Sequence, residues 1–203
     1  MPLMSVEEVA KGVRLGLWDI TESVDEFLLQ GSSTSLYRQA IIDSYRAVGR
    51  RREVLAVWSL IDVMVGDDVG LLHEKSGKPY LSNGLNISIS HTKGCAAVVI
   101  SRERVVAVDV ECLDGRVTNV AGKMLRADEN ADTLTELLLH WCAKETLYKL
   151  YSEEHLALKD MRVLSIGGDD ARGIIKTENV QRGETSDVYY RIFDGKVLTY
   201  AVL

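Results

Sequence analysis

Residues 106–111 read VAVDVE and residues 141–149 read WCAKETLYK, and these two stretches decide the fold that we expect for the chain. The first stretch alternates between valine and small or acidic residues, which predicts a half-buried strand. On such a strand the three valines share one face, and Ala107, Asp109 and Glu111 share the other. Two carboxylates beside a small alanine pack poorly, but they suit a hard cation such as Mg²⁺, which prefers oxygen ligands.

The second stretch lies on a predicted helix that Thr133 and Glu136 begin with a capping-box pattern. Glu145 is in line with four apolar residues of this helix, Leu134, Leu138, Trp141 and Tyr148. A carboxylate inside an apolar stripe is unfavourable unless a cation or hydrogen bonds compensate it. Together with the two strand carboxylates, Glu145 therefore suggests a Mg²⁺ site with open positions for phosphate and water.

Each pattern also has an ordinary structural interpretation. Two acids at the edge of a strand can simply be solvated, and Glu145 with Lys149 is a standard helical pair that contributes about 0.2–0.5 kcal/mol. A single histidine at the end of a strand, here His91, is more often structural than catalytic. Residues 77–80, GKPY, are first of all a turn signal. The arginines at 50–52 most simply form a solvated helix face.

The composition restricts the class of protein. A chain of 203 residues can form one large domain or two small ones. Its 46% hydrophobic and 27% charged residues are typical of soluble globular proteins with a sizeable core. The net charge of −6 implies no strongly basic surface, so we expect neither nucleic-acid binding nor attachment to anionic membranes.

Cysteine usage and the first residues favour a cytoplasmic protein. The cysteines have neither metal-type spacing nor a disulfide framework, as is typical of reduced thiols. Glu7 and Glu8 stand where a signal peptide needs basic and then apolar residues. The longest apolar run, residues 54–65, is too short to span a bilayer and contains Asp62.

Along the chain, antiparallel strands with one long helix are predicted twice, which is an α+β pattern. The predicted strands are residues 13–18, 86–91, 95–101, 105–111, 161–166, 172–177, 188–193 and 197–203. Ser23 with Glu26 predicts a short helix that ends at Gly31, and residues 36–65 are helical with a break near Gly49. Asp194-Gly195 is a tight-hairpin signal between the last two strands. Residues 101–104 are the linker candidate between domains 1–101 and 102–203.

Four motifs in this order resemble those of the Sfp-type 4′-phosphopantetheinyl transferases, of the holo-acyl-carrier-protein synthase superfamily. They are GKPYL at 77–81, NISISH at 86–91, VDVE at 108–111 and WCAKETLYK at 141–149, and an arginine-rich helix at 46–53 precedes them. No single motif is decisive, but four in the same order make chance a poor explanation. The motifs span roughly residues 46–150, and the two ends of the chain fit by length and strand pattern only.

The resemblance implies an activity. The family transfers the phosphopantetheine arm of coenzyme A to a serine of an apo acyl or peptidyl carrier protein and releases adenosine 3′,5′-bisphosphate. By analogy Asp109, Glu111 and Glu145 would hold Mg²⁺ against the coenzyme A pyrophosphate, and Lys149 would contact the pyrophosphate. Glu145 is the first candidate for the base that takes the serine proton, and Glu129 is the second.

The resemblance also implies a fold and a coenzyme A site. The expected protein is a monomer of two pseudo-symmetric lobes, each an antiparallel sheet packed with a long helix, with the site in the cleft between them. Lys78, Ser90 and His91 would contact coenzyme A, and Arg50 or Arg51 would hold its 3′-phosphate. The chain departs from the family at Ala107, where glycine is common, and at Trp58, where a basic residue is often found.

Two other functions are compatible with the sequence. A non-catalytic relative would bind coenzyme A or a carrier protein without turnover, which the departures at Trp58 and Ala107 favour. An unrelated Mg²⁺-dependent phosphohydrolase could use the same carboxylates, and it would release phosphate from coenzyme A or nucleotides without any carrier protein.

Overall fold

The structure of the chain is a computed structural model that describes residues 2–30, 39, 42–66 and 68–203. The chain forms two compact units, Met1–Glu103 and Arg104–Leu203. Each unit combines helix with antiparallel sheet, which agrees with the predicted α+β class. Of the predicted helical stretch 36–65, residues 36–38 and 40–41 lie outside the described residues.

The first unit contains a four-stranded antiparallel sheet and a separate hairpin. Its elements are β1 (Leu3–Ala10), β2 (Val13–Asp19), α1 (Val24–Gln30), α2 (Val48–Val65), β3 (Leu71–His73), β4 (Pro79–Leu81), β5 (Asn86–Thr92) and β6 (Cys95–Ser101). The sheet has the order β1-β2-β6-β5, and β3 pairs with β4. The GKPY turn is confirmed at the β3–β4 connection, where Gly77 has a positive φ of 90° that favours glycine.

Local sequence signals set the helices of the first unit. Ser23 and Glu26 form the predicted cap of α1, because the Ser23 amide donates to Glu26 at 2.7 Å and the Glu26 amide donates to the Ser23 hydroxyl at 3.2 Å. The break predicted near Gly49 falls at residues 45–47, just before α2 begins. Helix α2 packs on the sheet through an apolar face that includes Trp58, so this departure from the family motif is a buried core residue.

The second unit is a five-stranded antiparallel sheet with one long helix on it. Its elements are β7 (Val106–Cys112), α3 (Ala121–Met124), α4 (Leu134–Leu150), β8 (Met161–Gly168), β9 (Arg172–Asn179), β10 (Glu184–Phe193) and β11 (Lys196–Val202). The sheet has the order β7-β11-β10-β9-β8, so the first strand of the unit pairs with the last. Asp194 and Gly195 form the predicted tight turn between β10 and β11, with φ values of 46° and 66°.

Strand β7 is more buried than its alternation predicts. All five residues from Val106 to Val110 are buried, so both faces of this part of the strand are covered and the half-buried prediction is wrong there. Strand β7 is an edge strand of the sheet, and its pairing with β11 places Asp109 opposite Thr199. The carboxylate of Asp109 therefore lies in a mostly dry environment, where its interactions with neighbouring charges are strong.

Helix α4 begins with the predicted capping box of Thr133 and Glu136. The predicted apolar line that contains Glu145 is buried at Leu138, which is 2% exposed, but not at its two ends, where Leu134 and Tyr148 are 39% and 42% exposed. The helix is buried along residues 137–144, 146, 147 and 150 apart from Trp141, because a wide face packs on the sheet. Among the described residues of the whole chain, no helix is both long and apolar enough to cross a membrane.

Candidate functional site

Asp109 on β7 and Lys149 on α4 are bound to each other in the second unit. Lys149 Nζ donates to Asp109 Oδ1 at 2.8 Å and to the carbonyl oxygen of Val108, also at 2.8 Å. Asp109 is only 4% exposed, and the ammonium group compensates a charge that would otherwise be strongly unfavourable in this position.

Glu145 lies one helical turn before Lys149 and is half-buried. Burial raises the pKa of Glu145 above its ordinary value, and the negative charges of Asp109 and Glu111 raise it further, whereas Lys149 opposes the change. The structure thus brings the three predicted carboxylates into one electrostatic neighbourhood.

That neighbourhood is not a preformed metal cage. In the part of the chain that the structure describes, no three His, Cys, Asp or Glu side chains are grouped so that they could hold a metal ion. A cation is nevertheless present beside Asp109, since the Lys149 ammonium lies between a carboxylate and a carbonyl oxygen. Carboxylate and carbonyl oxygens are also the donors that Mg²⁺ prefers, so the donor chemistry at Asp109 is compatible with a hard divalent cation.

Cys142 is a neighbour of this group that the sequence analysis did not identify as part of the site. The thiol is completely buried, and burial raises its pKa well above the ordinary value, with Asp109 and Glu111 adding to the effect. A hydrogen bond to Asp109 also favours the neutral thiol. The spacing of the residues could have identified Cys142 from the sequence, because Cys142, Glu145 and Lys149 lie three and four residues apart on one face of α4.

Glu111 lies at the end of β7, beside a small cavity of about 180 Å³. The cavity is lined by Glu111, Cys112, Arg116, Val117, Leu138 and Trp141, among others. Its walls are mainly apolar, and its charged groups are the carboxylates of Glu111 and Asp114 and the guanidinium of Arg116. Glu111 is therefore accessible to solvent and small molecules, in contrast to the buried Asp109.

Glu129, the second candidate base, is instead an internal anchor. Its Oε2 accepts from Lys144 Nζ at 2.6 Å and from the Arg126 amide at 2.8 Å, and its Oε1 accepts from the Val163 amide at 2.6 Å. The side chains of Glu129 and Lys144 are both 0% exposed. Burial lowers the pKa of Lys144, and Glu129 opposes this change. With both oxygens bonded and no exposed surface, Glu129 is poorly suited to take a proton from a bound substrate.

In the first unit the structure brings together two of the predicted coenzyme A residues, Arg50 and His91. Arg50 Nη1 contacts the imidazole of His91, and Glu53 Oε2 lies 3.2 Å from Arg50 Nη1 and 3.2 Å from His91 Nδ1. Arg50 also lies over the ring of Tyr45, with its Cζ 5.4 Å from the ring centroid. Glu53 was missed by the sequence analysis, although it follows Arg50 at the helical spacing of three residues.

The other two arginines of the run 50–52 bind backbone carbonyls. Arg51 Nε donates to the Tyr45 carbonyl at 2.7 Å. Arg52 donates to the carbonyls of Glu22 at 2.5 Å and Ile20 at 2.7 Å. These bonds tie the start of α2 to two preceding segments, so the run is neither a simple solvated face nor three equivalent ligand-binding arginines.

Ser90 and Lys78 lie in different surroundings from Arg50. Ser90 precedes His91 on β5 and is buried, and alternation along the strand puts the two side chains on opposite faces. Lys78 lies in the β3–β4 turn, where its carbonyl accepts from the Glu74 amide at 2.9 Å. Its side chain is partly exposed, as a residue that contacts an anionic ligand requires.

Comparison with known proteins supports the resemblance seen in the motifs. The chain is similar to a 4′-phosphopantetheinyl transferase. This relative is enterobactin synthase component D of Salmonella typhi, to which the chain is 33% identical over 127 residues. The match covers 55% of this chain and 53% of the relative, so the chain spans about half the length of the curated protein that it matches. No family model matches the chain.

Proposed function

We propose that the chain is a Mg²⁺-dependent 4′-phosphopantetheinyl transferase that acts as a monomer. It would transfer the phosphopantetheine arm of coenzyme A to a serine of an apo carrier protein and release adenosine 3′,5′-bisphosphate. The observation that carries the proposal is the acidic face of β7 against α4, where Asp109, Glu145 and Lys149 of two family motifs interact. The similarity to enterobactin synthase component D supports the same reaction.

The residues of the second unit would neutralise and position the reacting phosphate. We assign Asp109, Glu111 and Glu145 as the ligands of Mg²⁺, and Lys149 as a point charge for the pyrophosphate. Bound Mg²⁺ would supply charge neutralisation at the pyrophosphate oxygens. Phosphoryl-type transfer depends mainly on such positioning and electrostatics, so the protein needs no covalent intermediate of its own.

Glu145 is the base that we propose for the serine proton. In the metal-free protein, burial and the negative charges of Asp109 and Glu111 raise the pKa of Glu145, and its side chain is only half-buried, so a substrate hydroxyl can reach it. Glu129 does not suit the role, because Lys144 and two backbone amides occupy its oxygens and its side chain is completely buried. The structure therefore favours Glu145 over Glu129.

The residues of the first unit would bind coenzyme A. Among the arginines at 50–52 we assign the 3′-phosphate to Arg50, since its guanidinium lies beside His91, whereas Arg51 and Arg52 hold backbone carbonyls. His91 and Lys78 would add contacts to the anionic groups of the nucleotide. The buried Ser90 would contribute through its hydroxyl. A pseudo-symmetric relation between the two units belongs to the same proposal.

A mass measurement tests the reaction. Purified protein, coenzyme A and Mg²⁺ should add one phosphopantetheine arm at a serine of a suitable apo carrier, and a chelator should stop the reaction. Glu145→Gln should lose most of the turnover, because the substitution removes the base and a metal ligand together. Glu184→Gln is the matched control, since Glu184 is exposed on β10 and the charge change is the same.

The same assay separates the two other functions. If coenzyme A binds in titration calorimetry but no carrier protein of a broad panel gains mass, the chain is instead a non-catalytic protein that binds coenzyme A. If phosphate is released from coenzyme A in the absence of any carrier protein, the chain is instead a phosphohydrolase.

A further inference from the structure

The Lys149–Asp109 pair is a feature that the proposed reaction leaves unexplained. In that reaction Lys149 would contact a phosphate group and Asp109 would bind a metal ion. In the structure the two groups instead bind each other at 2.8 Å. Because Asp109 is almost completely buried, its charge needs an internal partner when no metal ion is bound.

The protein holds the Lys149 ammonium in the way that it would hold a metal cation. Nζ lies between the Asp109 carboxylate and the Val108 carbonyl, both at 2.8 Å. Carboxylate and carbonyl oxygens are also the donors that Mg²⁺ and Mn²⁺ prefer. A divalent cation that binds Asp109 would therefore meet a positive charge already placed at the same oxygen.

The two partners differ in their freedom to move. The side chain of Asp109 is 6% exposed, whereas that of Lys149 is 26% exposed. Lysine carries its charge on a flexible four-carbon stem, so the ammonium group can turn towards solvent while the carboxylate stays in the sheet. Lys149 is thus the partner that can move when a cation binds Asp109.

We propose that Lys149 is the internal counter-ion of Asp109 in the metal-free protein and that a divalent cation binds by displacing it. This inference rests on the proposed function, which assigns Asp109 as a metal ligand. Displacement would make the ammonium charge available to an anion that accompanies the cation. Lys149 would therefore weaken binding of the metal alone and strengthen binding of coenzyme A, and it would favour loading of both together.

Mn²⁺ binding without coenzyme A is the first test, measured by the loss of the electron paramagnetic resonance signal of free Mn²⁺. Lys149→Gln should bind Mn²⁺ about tenfold more tightly than the unchanged protein, because a competing positive charge is gone. The same variant should bind coenzyme A more weakly in the presence of Mg²⁺. Opposite changes in the two affinities exclude a merely structural lysine, which would weaken both, and the acetylation measurement below separates displacement from repulsion by a lysine that stays in place.

Lys176→Gln is the matched control for this substitution. Lys176 forms a lysine–aspartate pair of similar length, 2.7 Å to Asp187, but the pair is exposed on the sheet. The control therefore makes the same change in net charge without touching the site. It should leave both affinities unchanged.

A second measurement uses the unchanged protein, in case Lys149→Gln does not fold. Acetylation by an amine-reactive reagent, mapped by mass spectrometry, reports how accessible each lysine is. Adding Mg²⁺ alone should speed the acetylation of Lys149 several-fold and leave that of Lys176 unchanged. An unchanged rate at Lys149, at a Mg²⁺ concentration that saturates the site, overturns the displacement.

The outcomes distinguish this inference from the function on which it rests. If the unchanged protein and Lys149→Gln bind Mn²⁺ equally tightly, and Asp109→Asn no longer binds it, the proposed role of Lys149 is wrong but the metal site is intact. Mn²⁺ binding that does not depend on Asp109, with or without coenzyme A, overturns the metal site and the inference together.

Discussion

Lys144 and Glu129 show at the scale of single residues how neighbours decide a role. Lys144 precedes Glu145 in the WCAKETLYK stretch, yet it is completely buried and bound to Glu129. It also donates to the Met124 carbonyl at 2.9 Å. The sequence identified Glu129 as an acidic residue of interest but gave no sign of its partner, because 15 residues separate the pair and only the tertiary fold joins them.

Breaking this buried pair should destabilise the protein strongly. Lys144→Met leaves the Glu129 charge buried without its cation, and we expect the free energy of unfolding to fall by about 3–5 kcal/mol. Lys144→Met with Glu129→Gln should be less harmful than Lys144→Met alone, since the uncompensated charge is removed. Urea unfolding measures both variants, and Lys176→Met in the exposed Lys176–Asp187 pair should change stability by about 1 kcal/mol or less. Equal losses in the buried and exposed pairs would contradict this assignment.

Glu145 should make stability depend on pH in the opposite direction to an ordinary ion-paired carboxylate. Its pKa is raised in the folded protein above the ordinary value of 4.5, so the folded state binds the proton more tightly than the unfolded state. The contribution of Glu145 to stability is therefore present at low pH and is lost as the pH rises through the folded-state pKa. Glu145→Gln should accordingly be more stable than the unchanged protein above that pKa.

Urea unfolding of both proteins over a pH series, without metal or coenzyme A, measures this difference. The gain in stability of Glu145→Gln should disappear as the pH falls below 4.5, where the carboxyl group is protonated in both states. A gain that stays constant over the whole series would mean that titration of Glu145 is not its cause.

At the scale of elements, the strands and helix starts were predictable wherever a local pattern sufficed. Strand β6 agrees with the predicted 95–101, and α4 begins at its capping box as predicted. Strand β1 was missed, because two register shifts in its pairing with β2 and Glu7 and Glu8 within it interrupt the alternation. The buried face of α4 was misjudged, because a helix that is apolar nearly all round has no periodic signal to fix its orientation.

The β8–β9 hairpin depends on glycine for a close approach that no pattern reveals. A Cβ atom at Gly173 would lie 2.0 Å from the Gly167 carbonyl oxygen and 2.6 Å from Cε1 of Tyr190. Gly173→Ala should therefore lower the free energy of unfolding by about 3 kcal/mol, because backbone atoms must move. Gly167→Ala on the neighbouring strand is the control, since its Cβ would meet only the Ile174 carbonyl at 3.9 Å. If thermal unfolding finds the two variants equally stable, the hairpin can accommodate a Cβ atom at position 173.

At the scale of the whole molecule, each unit has its own hydrophobic core and its own part of the proposed chemistry. The order of motifs indicated the reaction, and the structure joined Arg50 with His91 in one unit and Asp109 with Lys149 in the other. What the sequence could not supply was the state of these groups without ligands. That state depends on which charges neutralise one another when burial leaves no water to do so.

Ligand binding should stabilise the whole molecule. Mg²⁺ with coenzyme A at about 100 times the dissociation constant should raise the Tm by roughly 5–10 °C, because binding to the folded state alone shifts the unfolding equilibrium. Asp109→Asn should lose most of this shift while its Tm without ligands stays close to that of the unchanged protein. Differential scanning calorimetry measures both values. A full shift in the variant would show that the metal is held elsewhere.

The buried pair of Lys144 and Glu129 also has a consequence for how this chain can change over evolutionary time. Each charge is tolerable only beside the other, so a single substitution at either position passes through a poorly folded intermediate. Lineages descended from a common ancestor should therefore keep both residues or replace both, and the two positions should covary although 15 residues separate them. The exposed pair of Lys176 and Asp187 carries no such restriction, and its two positions should drift independently.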